Sequence, residues 1–470
     1  MTLAGMDLRA LDARIARAER ATSQILARLR TKEERDDARR LDPFADVRDV
    51  TGQSLFRELS SADVSPVEAP HRDALRRWVH ELLQARIGWE LVLDEADARS
   101  ERDPKLSLAA NPSKADGVLS TYEEARRALV EASSLRATEE ALERMSAQAG
   151  PVAAARLEQR ARRFEASKRL GLEHPWALAT QGSVAALTAL AQATLDGTEA
   201  LSQELAKERR RRFAETAGTA AMTPAVVMVD AHARDASEGW PAKVTGRWFE
   251  EIFRAVAPRS RGAVELPRSL GGASFLRAAR AWGSDLRLSA VARSLPYALA
   301  RDPYPTEAFL VGDAFAITLA SPLFAKRKLG LPARMASAHA RALHRVLFAE
   351  LRRLAADVLL GARHAVEDDL VEELTTRLCG RALPPLLARA FACGGFAGNT
   401  RIVAPARFVS ALRAALFVRS LVERFDEDWF DNPRAGVFLA TIGSGPVWSG
   451  DVPEASAVAS VIRASEEALG

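Results

Sequence analysis

Phe275 to Glu307, FLRAARAWGSDLRLSAVARSLPYALARDPYPTE, holds the residues best placed to do chemistry. Arg277, Arg280, Ser284 and Arg287 follow one another in steps of three or four, so a helix puts them on one face. Phe275, Leu276, Ala279, Trp282 and Leu286 fill much of the rest, as in a packed helix. A second helix is predicted to open at Pro305, with Glu307 in its first turn. A guanidinium stays protonated and cannot ligate a metal. Ser284 is a poor zinc ligand, Ala281 carries no base, and one carboxylate does not hold zinc alone. The geometry suggests a zinc site from which the ligands have been lost, and no bound metal, cofactor or catalytic group is expected. Two structural readings stand beside this. The arginines form a solvated helix face, and Glu307 caps its helix by reaching back to the Tyr304 N–H.

The elements that must position these residues are predicted to be helices. The chain has 470 residues, 48% hydrophobic and 27% charged, with only 6% aromatic. Its apolar content is mostly Ala, Leu and Val, and Ala, Leu, Arg and Glu favour helix, so the fold class is all-α. Periodicity predicts helices over residues 2–40, 65–98, 121–146, 176–216, 334–373 and 405–424. Breaks are expected at Gly150-Pro151 and Gly171, a loop over 99–117, and an irregularity near Gly361. Val226–Val229 is short and β-branched, and predicts one or two short strands near 223–235. His232 follows that segment, as a cleft residue or a structural histidine.

Other features argue against particular partners. The 66 basic and 62 acidic residues leave a net charge of +4, too little over this length to imply a polyanion partner. The run Lys207–Arg212 lacks interleaved aromatics and reads as a solvated helix face, so no nucleic-acid binding is expected. His339 and His344 are five apart, about 140° around a helix, and make a poor ligand pair. His71 and His80 have no acidic partner at ligand spacing. Cys379 and Cys393 form no C-x-x-C motif and are expected to be reduced thiols. No apolar run of spanning length is present. The expectation is a cytoplasmic protein without a membrane segment.

Phe275–Leu286 resembles the zinc-binding helix of the oligoendopeptidase F and thimet-oligopeptidase-like metallopeptidases. Their signature there is H-E-F/L-G-H-A-L. Gly283 falls on its glycine, Leu286 on its leucine and Trp282 on its bulky position. Arg280 stands at the first histidine, Ala281 at the general-base glutamate and Ser284 at the second histidine. Glu307, in PTEAFLVGDAF, is similar to the family's third ligand. The closing segment ARFVSALRAALFVRSLVERFDEDWFDNPRAGVFL also resembles the family's last helices. The family supplies tyrosines and a histidine near its C-terminus. Here no tyrosine follows Tyr304, no histidine follows His364, and the loop CGGFAGN lacks such donors.

The resemblance covers roughly 175–470. It implies an N-terminal helical region, 1–174, and a helical bowl with a central cleft, 175–470. It also implies a vestigial site at Arg280, Ala281, Ser284 and Glu307, with Arg277, Arg287, His232 and Tyr304 as cleft-lining residues. With the metal gone, Arg280 is expected to pair with Glu307 across the former zinc position. Three function classes follow: a non-catalytic relative binding a peptide or protein in its cleft, a helical scaffold without a ligand site, and, third, an active peptidase. A wide, charged channel lined by Arg280 and Glu307 favours the first; a cleft filled with apolar side chains favours the second.

Overall fold

In a computed structural model most of the sequence is helix; the described residues are 7–28, 31–40, 42–101, 121–132, 134–180, 183–218, 223–241, 245–257, 271–394, 403–448 and 453–470. In chain order the helices are α1 (Leu8–Arg28), α2 (Lys32–Arg40), α3 (Gln53–Ser61), α4 (Ala69–Ile87), α5 (Trp89–Ser100), α6 (Tyr122–Glu131), α7 (Leu135–Ala147) and α8 (Ala149–Arg169). Then come α9 (Val184–Gly197), α10 (Glu199–Ala217), α11 (Pro224–Asp230), α12 (Gly246–Ile252), α13 (Gly272–Ala290), α14 (Tyr297–Ala300) and α15 (Thr306–Leu319). The last are α16 (Pro322–Lys328), α17 (Ala333–Gly361), α18 (Asp368–Cys379), α19 (Pro385–Gly394), α20 (Ala404–Phe425), α21 (Pro433–Gly443) and α22 (Ala455–Leu469). Among the described residues there is no strand, and the fold is all-α.

Local chemistry explains where the boundaries differ from the sequence expectation. Residues 2–40 are divided because Thr31 and Glu34 start a new helix. The Thr31 N–H donates to Glu34 Oε2 (2.8 Å), and the Glu34 N–H donates to Thr31 Oγ1 (3.1 Å). The break expected at Gly150-Pro151 falls two residues earlier, at Gln148 between α7 and α8. Gly150 and Pro151 sit in the first turn of α8, where proline gives up no intrahelical hydrogen bond. The strand expected near 223–235 is α11. Thr223 caps it by accepting the Val226 N–H (3.3 Å), Pro224 occupies its first turn, and Ala225 and Val226 are buried. Each β-branched residue opposes helix by only a few tenths of a kcal/mol, which capping and burial exceed. The expected irregularity near Gly361 is the end of α17, where the Trp176 ring leaves no room: a Cβ on Gly361 would lie 2.0 Å from it.

The chain divides into two units. Unit 1 holds residues 1–178, 296–303 and 360–402. The first crossing falls close to the expected 174/175 boundary, but 296–303 and 360–402 cluster with the N-terminal part. Hydrogen bonds tie the first of these segments there. Asp12 accepts the N–H groups of Tyr297 (2.7 Å) and Ala298 (2.8 Å), and Arg77 pairs with Asp302 at 2.7 Å. The unit 1 core includes Phe44, Phe56, Trp78 and Leu82. Unit 2 holds residues 179–295, 304–359 and 403–470. Its core is aromatic: the Trp282 ring stacks on Phe249 (5.5 Å) and Phe253 (5.3 Å) and meets Phe315 edge-on (5.0 Å).

Within unit 2, α13 packs on α15, and α15 on α20. The α13–α15 crossing uses two glycines. A Cβ on Gly312 would stand 2.5 Å from both the Arg280 carbonyl oxygen and the Ser284 hydroxyl, and one on Gly283 would stand 2.8 Å from Phe315. No larger residue fits, so the two backbones nearly touch. This contact sets Arg280 and Ser284 against the middle of α15.

Among the described residues no single helix is long and apolar enough to cross a membrane. The loop CGGFAGN from Gly395 on, and nearly all of the 99–117 loop, lie outside the described residues. Cys379 is buried, and the side chain of Cys393 lies outside what is described.

Candidate functional site

The four residues assigned to a vestigial site are not brought together as expected. Arg280 does not pair with Glu307. Its Nε donates to Asp313 Oδ1 on α15 (2.7 Å), and its Nη1 contacts Glu350 Oε2 on α17. Glu307 pairs instead with Arg413 on α20 (2.7 Å). The reason is helical phase. Glu307 lies nearly two turns before Asp313, and the Gly283–Gly312 crossing puts Asp313, not Glu307, level with Arg280. Glu307 does not cap its helix either. The helix opens at Thr306, and the Glu307 N–H donates to the Val447 carbonyl (3.0 Å). Ala281 is exposed, and Ser284 is half-buried against Gly312.

Asp313 is the centre of the arrangement. Its Oδ1 accepts from Arg280, its Oδ2 accepts the Ser410 hydroxyl of α20 (2.7 Å), and Arg407 lies 3.6 Å away. One carboxylate thus joins α13, α15 and α20, and Arg280 extends the set to α17 through Glu350. Burial disfavours the Arg280 charge, but Glu350 and Asp313 together hold its affinity for the proton above the usual arginine value. Burial moves the neighbouring Arg407 the other way. Farther along α17, Asp357 pairs with Arg353 (2.6 Å), and burial raises its carboxyl to about 6.

The expected cleft-lining residues have separate structural tasks. Arg287 is buried and donates to the carbonyls of Gly443 (2.5 Å), Gly445 (3.0 Å) and Pro446 (2.5 Å), so it closes the C-terminal end of α21. Arg277 reaches Ser274 on its own helix (3.3 Å). The His232 and Ala233 carbonyls accept the first N–H groups of α13, from Ala273 (3.2 Å) and Gly272 (3.0 Å). Burial, with Arg234 and Arg277 adding to it, lowers the His232 imidazole to about 4. Tyr304 is buried. Of the expected solvated arginine face, Arg277 is exposed, whereas Arg280 is partly buried and Arg287 buried, both hydrogen-bonded.

Beside Arg280 lies a cavity of about 100 Å³. Its wall carries Arg280, Asp313, Glu350, His344 and Ser465, and is otherwise apolar, including Ile317, Leu351 and Leu469. Glu307 is not on that wall. Among the described residues no group of three or more His, Cys, Asp or Glu side chains could hold a metal ion. His339 and His344 have different surroundings: His339 packs by Trp240 (5.6 Å), while His344 faces the cavity.

Sequence reasoning missed Asp313, Glu350 and Ser410. The available signal was a lone aspartate within the apolar run AFLVGDAFAITLA, since an ionised side chain at a buried position needs a partner. In comparisons with known proteins, no family model and no curated protein matches the chain.

The arginine run on α10 is partly consumed by internal ion pairs. Arg209 and Arg212 both bind Asp230 at the end of α11, Arg209 at 2.6 Å, and Arg212 also reaches Asp235 at 3.3 Å. Despite its burial, Asp230 is held below the usual carboxylate range by Arg209 and Arg212. Arg210 and Arg211 remain exposed, too few charges for a stable phosphate interface. The protein is expected not to bind DNA or RNA probes at sub-micromolar concentration in physiological salt. Filter binding or fluorescence anisotropy tests this, and tight, steeply salt-dependent binding would contradict it.

Proposed function

We propose that the protein works without catalysis, as a helical scaffold or binding protein, and that its Phe275–Leu286 helix derives from a peptidase zinc helix whose metal chemistry has been replaced by ion pairs. The observation supporting this reading is Arg280 held between Asp313 and Glu350. A guanidinium there takes the charge-neutralising role of a cation and joins three helices, yet it can neither polarise a carbonyl as a metal does nor activate water. On this reading the protein is cytoplasmic, in keeping with its two cysteines.

Of the two non-catalytic classes, the geometry favours the scaffold. A peptide in a channel lined by Arg280 and Glu307 needs both groups facing one space. Here each is engaged by its own partner, and the space beside Arg280 is well below the ~300–1,000 Å³ of ordinary ligand pockets. The cavity's apolar wall is the one feature in favour of the first class, because it could take a single apolar side chain of a peptide or protein partner.

Purified protein is expected to contain no stoichiometric zinc and to cleave no oligopeptide. Elemental analysis and an assay on quenched fluorescent peptides, with and without chelator, test this. About one zinc per chain together with chelator-sensitive cleavage would overturn the proposal.

A further inference from the structure

We propose that the cavity beside Arg280 is a binding site for a small, uncharged, apolar ligand: a hydrocarbon molecule of up to about six carbons. The inference is independent of whether the protein descends from a peptidase, and concerns a ligand far smaller than the peptide that the scaffold reading excludes. It rests on what the cavity wall offers and what it withholds.

The wall offers apolar surface. Ile317 of α15, Leu351 and Leu354 of α17, Ala414 of α20, and Val461 and Leu469 of α22 face the space, which measures about 100 Å³. Most of the exposed wall is apolar, and apolar surface around a space of this order accommodates molecules such as benzene or xenon. The gain on filling is contact with side-chain atoms that otherwise face no partner.

The wall's charged groups are paired with one another. Arg280 lies between Asp313 and Glu350. The second oxygen of Asp313 accepts the Ser410 hydroxyl. The Ser465 hydroxyl donates to the Val461 carbonyl (2.8 Å). His344, neutral because burial lowers it to about 4, is hydrogen-bonded to the Ala320 carbonyl. A charged ligand would therefore lose its own hydration and find no unengaged counter-charge, whereas an uncharged apolar one loses little. That contrast sets the ligand class.

The test uses the full chain with benzene as probe, and benzoate and benzylammonium as charged comparators of similar shape. The expected result is a thermal midpoint that rises with benzene concentration, as for any ligand favouring the folded state, and no rise with either ion. Two cavity-filling variants, Ala411→Leu on α20 and Ala464→Leu on α22, are expected to abolish the benzene shift. No shift with benzene, an equal or larger shift with either ion, or an undiminished shift in both variants would overturn the proposal. Should neither variant fold, crystals of the unaltered chain under xenon pressure decide: xenon between α15, α17, α20 and α22 supports the site, and a cavity without xenon overturns it.

Discussion

Between pH 7 and pH 5 the protein is expected to lose a large part of its stability. His80, His174 and His339 are 0%, 7% and 3% exposed, and burial is the first cause lowering each imidazole from 6.5 to about 4. His80 Nδ1 and His339 Nε2 are buried with no hydrogen-bond partner among the described residues, so nothing there would support a second proton. The unfolded chain takes up protons near pH 6.5 and the folded chain only near pH 4. Between those values the unfolded state binds more protons, and stability falls as pH falls. Above pH 6.5 both states are neutral and nothing is lost. Each histidine contributes a loss of about 2 kcal/mol by pH 5 and about 3 kcal/mol by pH 4.

Asp357 acts in the opposite sense. Its folded carboxyl, raised to about 6, protonates before the unfolded one, so it returns about 1–2 kcal/mol by pH 5. The histidine effect remains larger. Asp12 and Asp97 are held below their ordinary value by hydrogen bonds that outweigh burial, so their contribution persists above that value and disappears only as pH falls through their lower folded values. Against a whole-protein stability of about 5–15 kcal/mol, the net change is large. Urea denaturation at pH 7.5, 6 and 5 measures it, and His80→Gln should flatten the slope by about one proton. Equal stability at pH 7.5 and pH 5 would contradict the assignment of these histidines as neutral.

The second large effect belongs to Arg280. Its side chain is 13% exposed and stands between two carboxylates. Arg280→Ala removes the arginine charge from Asp313 and Glu350, leaving Arg407 at 3.6 Å as the other cation beside Asp313, and is expected to destabilise by about 3–5 kcal/mol. The loss reflects uncompensated charge rather than the net worth of the pair. Arg280→Met combined with Asp313→Asn and Glu350→Gln should therefore recover much of it, because an apolar and neutral replacement removes the desolvation burden. If the triple variant is as unstable as Arg280→Ala, packing of the arginine stem, not its charge, carries the effect.

Some of this centre was legible in the sequence. The 3.6-residue pattern predicts Phe275, Leu276, Ala279, Trp282 and Leu286 as packed residues; the first four are buried and Leu286 is partly buried. It also put Arg280 and Ser284 on one face, and both lie against α15 at Gly312. Periodicity could not supply the partner. Spacing and family likeness point to Glu307, but the crossing of α13 and α15 is fixed by Gly283 and Gly312, and it selects Asp313. Glu350 lies 70 positions from Arg280, beyond any local rule. Arg287 was misplaced for a related reason. The carbonyls it serves, at Gly443, Gly445 and Pro446, come from a distant turn. The strand expected at Val226–Val229 failed because β-branched composition is a weak preference, which the Thr223 cap and burial of Val226 override.

A double-mutant cycle tests the centre most directly. Arg280→Ala is combined in turn with Asp313→Asn, Glu350→Gln and Glu307→Gln, and unfolding free energies are measured for each single and double variant. Partners in one ion-pair network couple by about 0.5–3 kcal/mol, whereas independent sites add within about 0.5 kcal/mol. The expected result is strong coupling of Arg280 to Asp313 and Glu350 and near-additivity with Glu307. Strong coupling to Glu307, with additivity toward Asp313 and Glu350, would contradict the account.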